Sequence, residues 1–207
     1  MYMTLMLMKV NTFLMKGETA KMISEDIKRQ LRLPGLGQLG YVVDDINKTI
    51  AYYKDIFGIG PWVLLDERPN PCVEKGKDVA PLFKIALAYM GPVQIELIEI
   101  AEGESFHLNH VKGSKGGVHH LGFMVHDLDQ RVDACHKIGI EILQRGTIKD
   151  KGFIIDYAYL DTADQAGIIL EFIRWRLGPI PLPINKLTFN IACWAGAKTL
   201  LKGQVIR

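Results

Sequence analysis

The chain has 207 residues, 48% of them hydrophobic and 23% charged, with a formal net charge of +2. This is the balance of a soluble globular protein large enough to bury a full core. No Lys/Arg-rich run offers a footprint for nucleic acid, and no run reaches the roughly 18 apolar residues that a membrane span needs.

Residues 1–35 read as an N-terminal helical arm. The opening MYMTLMLMKVNTFLM is apolar, but it lacks a basic leader and Lys9 interrupts it, so a signal peptide is not expected. Ile23, Ile27 and Leu31 recur every four residues, which predicts a short amphipathic helix ended by Pro34 and Gly35. Cys72, Cys135 and Cys193 are odd in number, far apart and without a CxxC pair. That excludes a disulfide framework and fits a reducing cytoplasm.

A first module spans 36–100. Alternation in GQLGYVVDDI predicts a strand with Gln38, Gly40 and Val42 on one face and Leu39, Tyr41 and Val43 on the other. Asp45 stands as N-cap before a helix whose Ile46, Ile50, Tyr53 and Phe57 share a face, and Gly58 supplies its end. Strands follow at Trp62–Leu65, Phe83–Tyr89 and Val93–Ile100, with a long polar loop expected over 66–81.

Residues 101–117 form a polar linker. A second module, 118–175, repeats the order. VHHLGFMVHDL is a strand that sets His120, Gly122 and Met124 against Leu121, Phe123 and Val125. Asp127 then caps a helix with Leu128, Val132, Cys135 and Ile138 on one stripe, and strands follow near Ile140–Leu143, Phe153–Leu160 and Ile168–Ile173. The C-terminal extension, 176–207, reads as a docking or interface segment.

The modules superpose without a gap. Leu39/Leu121, Gly40/Gly122, Val43/Val125 and Asp45/Asp127 are identical pairs 82 residues apart, and VQIELI aligns with IILEFI 75 residues later. Each module therefore offers one polar residue early in its first strand and one carboxylate inside its last: Gln38, Glu96, His120 and Glu171. A pseudo-twofold between the modules would converge these four on one cavity. An imidazole, an amide oxygen and two carboxylates suit a divalent metal such as Zn, Ni, Co, Mn or Fe. A carboxylate within an apolar strand is costly to bury unless it is paired or coordinating. The repeat pairs His120 with Gln38, so His119 is expected to face the helix layer, and His107, His110 and His126 to be solvated.

GQLGYVVDDI, VQIELI, GGVHHLGFMVHDL and GIILEFI together resemble the vicinal oxygen chelate superfamily over roughly residues 36–175. That family includes glyoxalase I, methylmalonyl-CoA epimerase, extradiol dioxygenases and bleomycin-resistance proteins. GGVHHLGF looks most like the epimerase branch, and the ligand order Gln, Glu, His, Glu resembles glyoxalase I. The resemblance implies an α+β fold of two βαβββ modules forming a curved, barrel-like mixed β-sheet with helices outside.

It also implies a metal-dependent epimerase, isomerase or glyoxalase-type lyase that moves a proton beside a carbonyl. Gln38, Glu96, His120 and Glu171 would be its metal ligands, with Glu171 the first choice of base and Glu96 the second. The implied substrate is a small carbonyl compound, an acyl-CoA or a thiol adduct, and the implied assembly a cytoplasmic homodimer. Two other readings compete: a metal-free small-molecule binding or resistance protein, and an Fe(II) extradiol-type dioxygenase, whose two-His shell Gln38 disfavours.

Overall fold

The computed structural model describes residues 23–65, 67–109, 116–150, 153–194 and 203–207. The opening methionine-rich stretch and His110 lie outside them. The chain divides into two compact units, Met1–Arg32 and Leu33–Arg207. In the first, α1 (Glu25–Leu31) starts where the Ser24 side chain accepts a hydrogen bond from the Ile27 N–H, and none of its residues is buried.

In the second unit the elements run β1 (Gln38–Val43), α2 (Ile46–Phe57), β2 (Trp62–Leu65), β3 (Arg68–Pro69), β4 (Cys72–Glu74), β5 (Lys77–Val79), β6 (Leu82–Met90) and β7 (Val93–Glu102). After a 3-10 turn at Phe106–Asn109 come β8 (Gly116–Met124), α3 (Leu128–Lys137), β9 (Ile142–Asp150), β10 (Phe153–Leu160), α4 (Ala163–Ala166), β11 (Ile169–Leu177), β12 (Ile180–Pro181), α5 (Lys186–Trp194) and β13 (Gly203–Ile206). No described helix is long and apolar enough to cross a membrane.

All the strands join one mixed sheet, curled into a half-barrel. Its central order is β2-β6-β7-β1-β8-β11-β10-β9. Each module contributes its first strand to the middle, parallel to its own last strand, and β1 meets β8 antiparallel. The two halves are thus related by a pseudo-twofold through the β1–β8 seam.

Alternation explains the layers. Leu39, Tyr41 and Val43 pack with Ile95 and Leu97 against Ile46 and Ile50 of α2, while Gln38 and Val42 are buried on the opposite, concave face. The Asp45 carboxylate accepts from the Lys48 N–H at 2.9 Å, and Gly58 ends α2 in the left-handed region, φ 63°. Phe57 departs from the helix pattern: it is exposed and meets Tyr52 edge-on at the surface. In the second module Leu128, Val132 and Cys135 of α3 are buried. Asp127 does not cap that helix through its side chain; its carboxylate binds Arg131 instead.

The expected loop over 66–81 is partly structured. β3 pairs with β6 at the edge of the first half, and β4 pairs with both β5 and β9 at the edge of the second. Only Asn70 and Pro71 separate β3 from β4, so the chain bridges the outer edges of the half-barrel. The extension after Arg176 also joins the domain. β13 pairs with β2, and Phe189 and Cys193 of α5 pack on Leu87, Tyr89, Ile155, Ile173 and Trp175. All three cysteines are buried and free.

Candidate metal centre

The register of the four central strands sets the site. Gln38 stands opposite Gly122 across the β1–β8 seam, and His120 stands opposite Gly40. On the outer sides, Gly40 pairs with Glu96 of β7 and Gly122 with Glu171 of β11. Each glycine therefore lies between a polar group of one module and a carboxylate of the other. A Cβ on Gly40 would fall 1.9 Å from His120 Cε1, and one on Gly122 would fall 2.9 Å from Gln38 Oε1. The absent side chains make the space in which the polar groups meet.

Gln38, Glu96, His120 and Glu171 come together from one chain. His120 Nε2 lies 3.4 Å from Gln38 Oε1, 3.3 Å from Glu96 Oε2 and 3.1 Å from Glu171 Oε2. The coordinating atoms of Glu96, His120 and Glu171 are all within 4.8 Å of one another. His120 is fully buried and Glu171 nearly so. Glu96 Oε2 and Glu171 Oε2 are buried oxygens that both lean on the one His120 Nε2 and make no hydrogen bond of good geometry. Two buried carboxylates that share one imidazole are costly unless that imidazole is charged or a metal cation takes its proton's place.

Bonds of about 2.1 Å to one ion hold neighbouring ligand atoms about 3.0–3.4 Å apart. The spacing around His120 Nε2 falls in that range, so the residues fit a divalent metal. This mixed N/O set suits Zn, Ni, Co, Mn or Fe alike.

The carboxylates shape the charge of the site. Burial alone would push the His120 imidazole down, but Glu171 and Glu96 outweigh it and raise its pKa to about 9. Burial raises the Glu171 carboxyl; the His120 charge opposes that shift, Glu96 adds to it, and the Tyr159 hydroxyl lowers it through a hydrogen bond.

Three neighbours escaped the sequence reading. Gln94 is fully buried beside Gln38, and its Oε1 accepts from Gln38 Nε2 at 2.9 Å, which turns Gln38 Oε1 toward His120. Their direct pairing on β1 and β7 follows from the register, but a lone Gln at a strand start carries no signal of it.

His119 does not face the helix layer. The β1–β8 register shifts between Gly40 and Tyr41, pairing Gly40 with His120 and Tyr41 with Val118. His119 is the extra residue of that bulge. Its ring is fully buried, and its Nδ1 lies 3.1 Å from His120 Nδ1. With His120 Nε2 given to an ion, His120 Nδ1–H donates to His119 and fixes the ring, the usual support of a ligating histidine.

His107 is not solvated either. It is buried in the 3-10 turn, stacked on His119 at 4.5 Å, with Nδ1 2.7 Å from Ser105 Oγ. His126 is exposed, as expected.

The carboxylates and Gln38 line a cavity of about 40 Å³ whose other walls are mainly aliphatic and aromatic, among them Ile98, Tyr157, Ile173 and Trp175.

The comparisons identify the fold and the family. A model of the glyoxalase/bleomycin resistance protein/dioxygenase superfamily matches residues 37–159. Methylmalonyl-CoA epimerase from Mycobacterium tuberculosis superposes with a TM-score of 0.52 at 20% identity, covering 76% of this chain and 93% of that one. A variant of Streptomyces coelicolor methylmalonyl-CoA epimerase in complex with 2-nitronate-propionyl-CoA gives 0.52 at 18% identity, over 69% and 97%. At such identities the likeness is one of fold. No curated protein matches the chain. With the family model spanning both modules' first strands and the Glu96 strand, the chain belongs to the glyoxalase/bleomycin resistance protein/dioxygenase superfamily.

Proposed function

We propose that this protein is a metal-dependent enzyme that moves a proton on carbon next to a carbonyl, as an epimerase, isomerase or glyoxalase-type lyase does. The observation that carries the reading is the pair of buried carboxylate oxygens, one from each module, that converge on His120 Nε2 at 3.3 and 3.1 Å. Gln38, Glu96, His120 and Glu171 would hold the ion. When bound, it would supply Lewis-acid polarisation of the substrate's carbonyl oxygen.

The chain's own residues would do the rest. Glu96 comes from one module and Glu171 from the other, so each carboxylate can accept or return a proton within the same small cavity. Glu171 is the leading base, because burial makes its carboxylate more basic than an exposed one. Gln94 would keep the Gln38 oxygen aimed inward, and the aliphatic walls would exclude water from the carbanionic centre. All four groups come from one chain, so a homodimer, which we retain as part of the proposal, is not needed to complete the site.

The substrate class that the fold relatives favour is an acyl thioester. The test is proton NMR of methylmalonyl-CoA in D₂O with metal-loaded protein. The expected result is solvent deuterium entering at C2 with the wild type and at least about 100-fold slower entry with Glu171→Gln. Equal exchange in the variant would remove Glu171 as base. Absence of exchange from this substrate and from a glutathione hemithioacetal would reject the proton-transfer reading.

A further inference from the structure

Glu171, Tyr159 and Gln144 form a row across β11, β10 and β9, each the register partner of the next. All three line the cavity of the candidate metal centre. Gln144 is fully buried, and its Nε2 donates to Glu74 Oε2 at 2.9 Å. Glu74 belongs to β4, the strand that bridges to the second half, and its other oxygen accepts from the Phe106 N–H at 3.1 Å.

This contact fixes which way the amide faces. A carboxylate accepts hydrogen bonds, so it takes the N–H side of the amide and leaves the carbonyl side for the cavity. Gln144 Oε1 is buried there with no donor. The neighbouring wall group Asn70 directs its amide to Tyr157 Oη at 2.7 Å and makes no bond to Gln144. A buried amide oxygen without a partner is destabilising, and such groups in folded proteins usually mark where a partner arrives from outside the chain.

We infer that Gln144 is a specificity-determining residue: its side-chain oxygen accepts a hydrogen bond from a hydroxyl or N–H on the bound molecule. The inference extends the proposed function by naming a feature of the substrate, a donor on the carbon body beside the reacting carbonyl. Gln144 and Glu171 are two strands apart, about 10 Å between Cα atoms. The donor therefore sits within a few bonds of the reacting carbonyl and not on a remote tail. A site that must satisfy a buried acceptor rejects the analogue lacking the donor far more strongly than a purely apolar wall does.

Another wall atom without a hydrogen-bond partner, Trp175 Nε1, is itself a donor and lies four residues beyond Glu171 on β11. It calls for an acceptor and provides the control.

The test uses short hydroxamates of two to four carbons, each compared with its ω-hydroxyl derivative, titrated calorimetrically into the full-length protein with and without Zn²⁺. For at least one chain length the wild type should prefer the hydroxylated probe by about tenfold. Gln144→Leu should lose that preference while binding the plain probe within about twofold, and Trp175→Phe should keep it. Glu74→Gln leaves the size unchanged but frees the amide to turn, so it should weaken the preference even if Gln144→Leu fails to fold. No preference in the wild type, no binding of either probe, or a preference that survives Gln144→Leu or is lost in Trp175→Phe, would overturn the inference. A preference seen equally without Zn²⁺ would uphold it while counting against the metal reading.

Discussion

Gln38 Nε2 donates to Gln94 Oε1 at 2.9 Å, and with the bond made this way round the Gln38 oxygen faces His120 Nε2 at 3.4 Å. An amide presents either a donor or an acceptor, and only the oxygen can bind a cation. Gln94 thus supports the orientation that the proposed ligand role of Gln38 requires. Replacing Gln94 by Leu should weaken metal binding by about 10- to 100-fold, the usual effect of removing an outer support of a metal ligand. Competition titration against a chromophoric chelator measures it; unchanged affinity would show that the Gln38 amide needs no orientation.

Gly40 should tolerate no side chain. A Cβ there would overlap the His120 ring, whereas one on Gly117 of the same seam meets nothing within 4 Å. Gly40→Ala should therefore abolish tight metal binding and lower the melting temperature, since the imidazole and a strand must both shift. Gly117→Ala should change neither. Differential scanning calorimetry with and without metal separates the two effects.

The raised pKa of His120 gives the metal-free protein a defined pH dependence. The folded protein holds this proton up to about pH 9, and the unfolded chain releases it near the ordinary histidine value of 6.5. The resulting stabilisation is full below about pH 6.5 and is lost as pH rises through about 9. The raised Glu171 carboxyl acts in the same direction. Urea midpoints should accordingly fall between these pH values without metal. A metal must displace the His120 proton, so its apparent affinity should rise about tenfold per pH unit over the same window. Metal binding without proton release would contradict this.

On the outer face, Asp156 joins β9 to β11. Its carboxylate accepts from Arg176 Nε at 2.7 Å, Arg174 Nε at 3.0 Å and Thr147 Oγ1 at 3.0 Å. Burial would raise its pKa, but Arg176, Arg174 and Thr147 outweigh that and hold it below the usual carboxylate range. Asp156→Ala leaves two partly buried guanidinium groups facing each other and should cost about 3 kcal/mol by urea denaturation. Metal content should not change, which separates scaffold from site.

Much of this was legible in the residues. The glycines at 40 and 122 mark both the repeat and the space at the site, because each must lack a side chain where the modules' polar groups cross. Glu96 and Glu171 stood out as carboxylates inside apolar strands. His119 was misplaced because a bulge adds one residue to a strand without disturbing its composition, and strict alternation then assigns the wrong face. His107 owes its burial to stacking on His119 and pairing with Ser105, contacts that depend on the folded turn. The 66–81 stretch reads as loop because its strands are two or three residues long and interrupted by Pro69, Pro71 and Pro81. The role of 186–194 depends on a surface that only the curled sheet creates.

The most direct measurement is the metal content of the purified, metal-reconstituted protein by inductively coupled plasma mass spectrometry, beside His120→Ala and Glu171→Ala. We expect about one divalent ion per wild-type chain and a loss of at least tenfold in each variant, with both variants still folded by circular dichroism. Stoichiometric metal surviving both substitutions, or a wild-type chain that binds none, would contradict a metal centre at these four residues.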